Sequence, residues 1–280
     1  MKSSQFARFL FALALLSLTL PVFGQSNRDG PIVGHSEGNH RLDCTILRPW
    51  EGDGGPAEGE IPSGGYAVIG WTNGWGQGNV QGADQVENYI PGLDFWAAEG
   101  FLVIAANQWS AQESDVLACL QWIIDQNDEA GGEYEGVVNT AKIGLAGHSQ
   151  GGGAVVKAGD GEPNGFDITT VVAMNPYGPG WVNADNQDGP VMIITGSEDA
   201  VTPYSWTYPV FEAVQTNDHG GLYAVLQGAG HSEVGRYQTV VKLWWQFTLN
   251  ENVNAGRRLQ RFLDKDPWDT QYAFTEHFDF

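Results

Sequence analysis

The chain has 280 residues and carries 34 acidic against 13 basic side chains, which gives a formal net charge of −21 at pH 7. Such a negative surface repels phosphate backbones and anionic lipids, so it argues against a nucleic-acid-binding protein and against electrostatic docking on membranes. One α/β domain can reach this length and bury a sizeable core.

The N-terminus has the layout of a cleaved secretory signal peptide. Two basic residues precede an apolar run over residues 9–20, and Val22 and Gly24 are small enough for a signal peptidase site. The run is shorter than the ~20 apolar residues that cross a bilayer, so a membrane anchor is the weaker alternative. We expect residues 1–24 to be removed and residues 25–280 to form one domain. The mature protein should be a secreted or periplasmic monomer without stable membrane insertion.

The two cysteines of the chain, Cys44 and Cys119, leave two readings open. In an exported protein they could form one disulfide. Cys119 lies in an apolar helical pattern, where it could instead act as a small buried hydrophobic residue. We slightly favour two free thiols.

Short apolar runs rich in β-branched residues alternate with helical patterns along most of the chain. The runs are typical of strands buried on both faces of a parallel sheet, and they cover residues 66–70, 101–105, 142–146, 170–174, 191–195 and 222–226. The helical patterns cover residues 83–99 (interrupted at Pro91), 113–127, 151–158, 205–216 and 233–248. Residues 41–47 predict an edge strand, whereas residues 25–40 and 51–64 predict loops. The alternation predicts a mostly parallel sheet flanked by helices, in which ligands bind beyond the C-terminal ends of the strands.

The strand at 142–146 runs directly into Gly147-His148-Ser149-Gln150-Gly151, a G-x-S-x-G sequence in a strand–turn–helix setting. This motif places a nucleophilic serine on a sharp turn, and its glycines leave room for that turn. The following helix would point its N–H groups, that of Gln150 among them, at a developing oxyanion. His148 adjoins the nucleophile, so we expect it to pack beside the turn.

The same rule about strand ends selects the general base and its acid partner. Apart from His148, only His231 of the six histidines follows a predicted strand, whereas His219 precedes that strand and so lies at the wrong edge. The strand at 191–195 is followed by Glu198 and Asp199, and either carboxylate could orient the imidazole. The order Ser149, acid, His231 is that of α/β-hydrolases.

The loop after the strand at 66–70 is expected to supply a second oxyanion N–H, because its glycines permit close backbone approach. Its two tryptophans, Trp71 and Trp75, could form a wall for an apolar acyl group or could cover the core. We retain both as candidate substrate-binding residues.

The chain resembles the cutinase-like polyester hydrolases, including poly(ethylene terephthalate) hydrolases, and their dienelactone-hydrolase-like relatives. The resemblance covers about residues 64–275 and rests on the blocks GWTNGWG, AAEGFLVIAAN, KIGLAGHSQGGGA, AMNPYGPG, ITGSEDAVTP, GAGHSE and RFLDKDPWDTQYAF. It implies an α/β-hydrolase fold. It selects Asp199, because the family acid stands four residues before the proline that is Pro203 here. It also implies Asn73 as the second oxyanion donor and Tyr177 as an aromatic residue beside the substrate.

These features together predict a serine hydrolase that cleaves carboxylic esters through an acyl-enzyme, with no metal or organic cofactor. No large insertion that would form a lid is visible, which favours an open cleft and polymeric esters. Asn73 and Gln150 stand where polyester-cleaving relatives often have Tyr or Phe and Met, respectively. A small-molecule carboxylesterase or a carbohydrate esterase acting on acetyl or feruloyl groups is the alternative among hydrolases. A catalytically inactive binding protein on the same scaffold is the alternative from another class.

Overall fold

The computed structural model describes residues 27–35, 41–50, 61–75, 85–107, 112–159, 165–178, 186–215, 219–265 and 267–273. The predicted signal peptide, and most of the loop predicted at 51–64, lie outside these residues. Among the residues that the structure describes, no helix combines the length and the apolar character that a membrane span needs.

The described residues form nine strands and six α-helices. The strands are β1 (Asn27–His35), β2 (Arg41–Arg48), β3 (Tyr66–Thr72), β4 (Leu102–Ala106), β5 (Val138–His148), β6 (Ile168–Met174), β7 (Val191–Gly196), β8 (Gly221–Leu226) and β9 (Trp268–Ala273). The helices are α1 (Ile90–Ala97), α2 (Glu113–Asp128), α3 (Gln150–Ala158), α4 (Tyr204–Val214), α5 (Gln238–Thr248) and α6 (Val253–Leu263).

The strands form one sheet in the order β1-β2-β4-β3-β5-β6-β7-β8-β9. The six strands from β4 to β8 in this order pair in parallel, whereas β1, β2 and β9 pair antiparallel at the two edges. The parallel strands therefore all end at one edge of the sheet, where ligands of such sheets bind. The protein has an α/β-hydrolase fold, as the sequence predicts.

Successive side chains of each strand point to opposite faces of the sheet. Both faces are apolar, and helices cover both of them. On one face, α2, α3 and α4 contribute buried residues such as Val116, Val155 and Phe211. On the other face, α1, α5 and α6 contribute residues such as Trp96 and Trp244. This double cover explains why the parallel strands are continuous apolar runs in the sequence.

The expectation of two free thiols is wrong. Cys44 on β2 and Cys119 on α2 form a disulfide, with their Cα atoms 6.0 Å apart. The pairing arises because α2 packs over the sheet at β2 and β4, which brings together residues that lie 75 positions apart in the chain. Both cysteines are buried.

Four further elements differ from the sequence prediction. The structure has strand β1 at Asn27–His35, where a loop was predicted, because this segment pairs antiparallel with β2. Helix α6 and strand β9 were not predicted at all. The helix predicted over residues 83–99 is shorter, because α1 begins at Ile90. Pro91 lies in its first turn, where backbone N–H groups have no partner within the helix, so the missing N–H of proline costs no helical hydrogen bond.

Candidate active site

Ser149 lies on a strained turn between β5 and α3. Its φ of 55° and ψ of −119° are uncommon for a residue with a side chain, and its N–H donates to the Met174 carbonyl at 2.9 Å. A Cβ at Gly147 would come within 2.3 Å of the Gly151 carbonyl oxygen, and one at Gly151 within 2.3 Å of the Thr72 carbonyl oxygen. The glycines of the motif are therefore required by close backbone packing on both sides of the serine.

The structure brings Ser149, Asp199 and His231 together at the C-terminal edge of the sheet. Ser149 follows β5, Asp199 follows β7 and His231 follows β8. The His231 Nε2 lies 3.0 Å from the Ser149 Oγ, and the His231 Nδ1 lies 2.8 Å from the Asp199 Oδ2. Glu198, the alternative acid, has an exposed side chain, and its backbone N–H donates to the Ala229 carbonyl.

The Asp199 carboxylate is buried and surrounded by donors. Its Oδ1 accepts the N–H groups of Val201 and Thr202, both at 2.8 Å, and its Oδ2 accepts the Thr202 hydroxyl at 2.8 Å as well as His231. Burial acts to raise the pKa of Asp199, but the hydrogen bonds from His231 and Thr202 outweigh it, so the pKa is lowered. The ionised carboxylate only accepts, so the His231 Nδ1 carries the proton and the Nε2 is free to accept the Ser149 hydroxyl.

Asn175, which directly follows β6, connects the loops that carry the acid and the base. This fully buried residue has a φ of 45°. Its Nδ2 donates to the His231 carbonyl at 2.7 Å, and its Oδ1 accepts the Gly196 N–H and the Tyr237 hydroxyl, both at 3.2 Å. The side chain thereby holds the His231 backbone against the end of β7.

His148 reaches the same carbonyl from the other side. Its Nε2 donates to the His231 carbonyl at 2.9 Å, so in the neutral ring the Nδ1 accepts the Tyr89 hydroxyl at 2.7 Å. Burial, together with repulsion from His231, lowers the pKa of His148 to about 3. The ring is therefore neutral, and it packs beside the turn as the sequence predicts.

Tyr89 extends this series of hydrogen bonds to the loop after β3. Its hydroxyl accepts the Gly74 N–H at 3.2 Å. Burial raises the pKa of Tyr89 to about 12, although the Gly74 N–H acts against this. A continuous series thus runs from Gly74 through Tyr89 and His148 to the backbone of His231.

The structure corrects one residue predicted in the loop after β3, namely Trp71, whereas Asn73 stays a predicted backbone donor. Trp71 is buried in the core on the same face of β3 as Ile69, with its ring 5.8 Å from that of Trp96, so it does not line the site. Asn73 is also fully buried, and its side chain binds the Trp71 Nε1 and the Ala106 carbonyl. Trp71 still belongs to β3, so its side chain points to the same covered face of the sheet as that of Ile69.

An open cavity of about 610 Å³ lies over Ser149. Ser149, Gln150 and His231 line it together with three exposed apolar residues, Trp75, Tyr177 and Val201. Gln150, Trp75 and Tyr177 are thus where the sequence predicts them. Tyr177 is fixed to the nucleophile turn, because its backbone N–H donates to the Ser149 carbonyl at 2.8 Å.

A comparison with known protein families gives a match to this chain. The family model described as PET hydrolase-like matches residues 92–278, which is more than half of the chain. The chain belongs to the PET hydrolase-like family. Membership makes the protein an ester hydrolase. A search of curated proteins found no match.

The stretch matched to the PET hydrolase-like family contains Ser149, Asp199 and His231, whereas the loop after β3 precedes it. Sequence reasoning missed three residues of the site, namely Asn175, Thr202 and Tyr89. Asn175 and Thr202 follow the ends of β6 and β7, so the rule that selected Asp199 could have found them. No sequence signal connects Tyr89 with His148.

Among the described residues, no cluster of histidine, cysteine or acidic side chains could hold a metal ion. The polar groups around Ser149 in this PET hydrolase-like protein instead bind one another. The arrangement can therefore move a proton between a hydroxyl and an imidazole, which is the chemistry of acyl transfer.

Proposed function

We propose that this protein is an exported serine hydrolase that cleaves the carboxylic esters of a polyester through an acyl-enzyme on Ser149. The observation that carries the proposal is the series of hydrogen bonds from Asp199 to His231 at 2.8 Å and from His231 to Ser149 at 3.0 Å. Membership in the PET hydrolase-like family supports the polyester as substrate.

In the acylation step the Ser149 Oγ forms a bond to the ester carbonyl carbon while its proton passes to the His231 Nε2. The carbonyl electron pair moves onto oxygen. Asp199 stabilises the imidazolium that forms, because its lowered pKa keeps it ionised. When the tetrahedral intermediate collapses, the bond to the alcohol breaks and the alcohol takes the proton from His231.

Backbone N–H groups at the nucleophile turn would stabilise the oxyanion. The Gln150 N–H lies at the N-terminus of α3, whose dipole favours negative charge. The second donor would be a backbone N–H of the loop after β3. The Gly74 N–H is donated to Tyr89, which leaves that of Asn73, as the sequence predicts, or that of Trp75, which lines the cavity. Water then attacks the acyl-enzyme with His231 as base and releases the acid.

Export is supported by two independent features. The N-terminal residues 1–24 have the pattern of a signal peptide. The Cys44–Cys119 disulfide fits an oxidising compartment, because disulfides are rare in the reducing cytosol.

The proposal is tested by comparing the wild-type protein with Ser149→Ala on p-nitrophenyl acetate, amorphous poly(ethylene terephthalate) film and acetylated xylan. We expect hydrolysis of the soluble ester and the film, and a loss in kcat of about 10⁴-fold or more in the variant. Ser114→Ala, an exposed serine on α2, is the matched control.

Retained turnover in Ser149→Ala would refute the nucleophile. Activity on acetylated xylan without release of soluble products from film would refute the polyester and leave a carbohydrate esterase. Thermal unfolding of both variants shows whether a loss of activity reflects a loss of the fold.

A further inference from the structure

Exposed apolar side chains are concentrated on one part of the described surface. Six large apolar residues of the described chain are exposed, namely Trp75 (59%), Tyr177 (40%), Val201 (53%), Tyr204 (46%), Trp206 (36%) and Val253 (52%). All of them except Val253 either line the cavity or lie in the first turn of α4. Exposed apolar side chains that are grouped in this way usually mark an interaction site.

The exposed residues of α4 continue the wall of the cavity. Tyr177 lines the cavity, and its ring lies edge-on to that of Trp206 with 5.8 Å between the ring centroids. Val201 also lines the cavity and precedes Tyr204 by three residues. We call Tyr177, Val201, Tyr204 and Trp206 the aromatic platform.

Two further rings, the partly buried Tyr208 and the buried Tyr223, pack against Tyr204. Tyr204 stacks on Tyr208 with centroids 5.1 Å apart, and both meet the edge of Tyr223. Tyr223 is buried, and its hydroxyl is hydrogen-bonded to the Thr207 side chain at 2.8 Å. Packed rings lose little side-chain freedom when a ligand covers them, so the platform is preorganised for binding.

The platform is also fixed relative to the reacting atoms. The N–H groups of Val201 and Thr202 bind the Asp199 carboxylate, and α4 begins two residues later at Tyr204. The Tyr177 N–H binds the Ser149 carbonyl. Hydrogen bonds from the backbone N–H groups of Val201 and Tyr177 therefore fix the position of the platform relative to Asp199 and Ser149.

We propose that the aromatic platform binds the part of an aromatic polyester chain that continues beyond the cavity, so that the chain passes Tyr177 and lies across the start of α4. This inference rests on the proposed polyester substrate. A cavity of about 610 Å³ is of the size that holds one small molecule, so a polymer must leave it across the surface.

Charge and side-chain type select this occupant. The net charge of −21 opposes adsorption to anionic lipid. Three of the four platform residues are aromatic, and flat rings pair favourably with the rings of an aromatic polymer. Because the platform continues the wall of the cavity, we expect it to bind the same substrate that Ser149 cleaves.

The test measures adsorption isotherms on amorphous poly(ethylene terephthalate) film in the inactive Ser149→Ala background, so that binding is separated from hydrolysis. We compare Trp206→Ser and Tyr204→Ser, singly and together, with Val253→Ser. Val253 is the control, because its side chain is more exposed than those of Tyr204 and Trp206 but lies at the start of α6.

We expect the film affinity to fall about threefold for each platform substitution and about tenfold for both, with no change for Val253→Ser. In proteins that retain Ser149, the ratio of the film rate to the p-nitrophenyl acetate rate should fall in the same order. Trp206→Phe should restore most of the film affinity lost in Trp206→Ser, and thermal unfolding checks that each variant is folded.

Unchanged film affinity in the double variant would overturn the platform, as would an equal loss in Val253→Ser, which would indicate unspecific adsorption. Stronger binding to phosphatidylcholine vesicles than to film would replace the polymer by a lipid surface. None of these outcomes affects the proposed nucleophile, which fails if Ser149→Ala retains ester hydrolysis, or the proposed substrate, which fails if the wild type releases no soluble products from film.

Discussion

The two sides of Ser149 are built from opposite kinds of side chains. Towards the interior lie Asp199, Asn175 and His148, which are buried, polar and joined by hydrogen bonds. Towards solvent lie Trp75 and Tyr177, which are apolar and exposed. The comparison indicates a division of labour, in which the interior side sets the chemistry and the outer side sets what is bound.

This division can be broken by substitutions on the interior side, because a buried polar group that loses its partner costs about 1–3 kcal/mol. Substitutions of the exposed side chains on the outer side do not remove any of these buried hydrogen bonds. Interior variants should therefore lower kcat or stability on every substrate, whereas outer variants should act on the polymer alone.

The largest effect is expected for Asp199→Asn. An amide can donate to the His231 Nδ1 and so favour the wrong tautomer, which we expect to lower kcat about 10³- to 10⁴-fold. The measurement is kcat on p-nitrophenyl acetate. Glu198→Gln is the matched control, since this neighbouring carboxylate is exposed; a similar loss in both variants would contradict the assignment of the acid.

A smaller effect is expected when the Asn175 side chain is removed. Asn175→Gly permits the positive φ of 45° but leaves the Gly196 N–H and the Tyr237 hydroxyl without this partner. We expect a loss of about 2–4 kcal/mol in the free energy of unfolding and about a tenfold fall in kcat with little change in KM.

Urea unfolding and steady-state kinetics measure the two effects of Asn175→Gly. Asn250→Ala, an exposed asparagine after α5, is the control. A stability loss without any fall in kcat would show that Asn175 supports the fold and does not position His231.

The last effect, which we expect in stability and not in kcat, concerns pH and the buried His148. Its folded-state pKa of about 3 lies below the ordinary value of 6.5, so the unfolded chain binds an extra proton between these values. The neutral His148 ring makes its full contribution to the free energy of unfolding above about pH 6.5, and this contribution decreases as the pH falls towards 3. From pH 7 to pH 4.5 the wild type should lose about 3 kcal/mol more than His148→Gln.

Urea unfolding at these two pH values tests the prediction for His148. His219→Gln serves as the control, because His219 lies before β8 at the opposite edge of the sheet. Equal pH dependence in the wild type and in His148→Gln would contradict the burial of a neutral imidazole beside His231.

Much of the fold and the three central residues could be predicted because they depend on local signals. Continuous β-branched runs identify the parallel strands, and residues directly after β5, β7 and β8 are placed at one edge by topology alone. Strand β1, with the sequence NRDGPIVGH, carries no such signal, because its pairing with β2 and not its own pattern makes it a strand.

The parts that were missed depend on tertiary contacts. The Cys44–Cys119 pair becomes visible only when α2 is packed on the sheet. Trp71 and Trp75 look equivalent in the sequence, yet the former lies inside the core and the latter is exposed. Likewise, no pattern reveals that Tyr89 binds His148, because 59 residues separate them.

The central claim is that Ser149 is the one activated hydroxyl of this protein. Labelling with a fluorophosphonate, followed by peptide mass mapping, tests it most directly. We expect one adduct, on Ser149, that is absent in Ser149→Ala and forms far more slowly in Asp199→Asn. An adduct on another serine, or undiminished labelling of Ser149→Ala, would contradict the account.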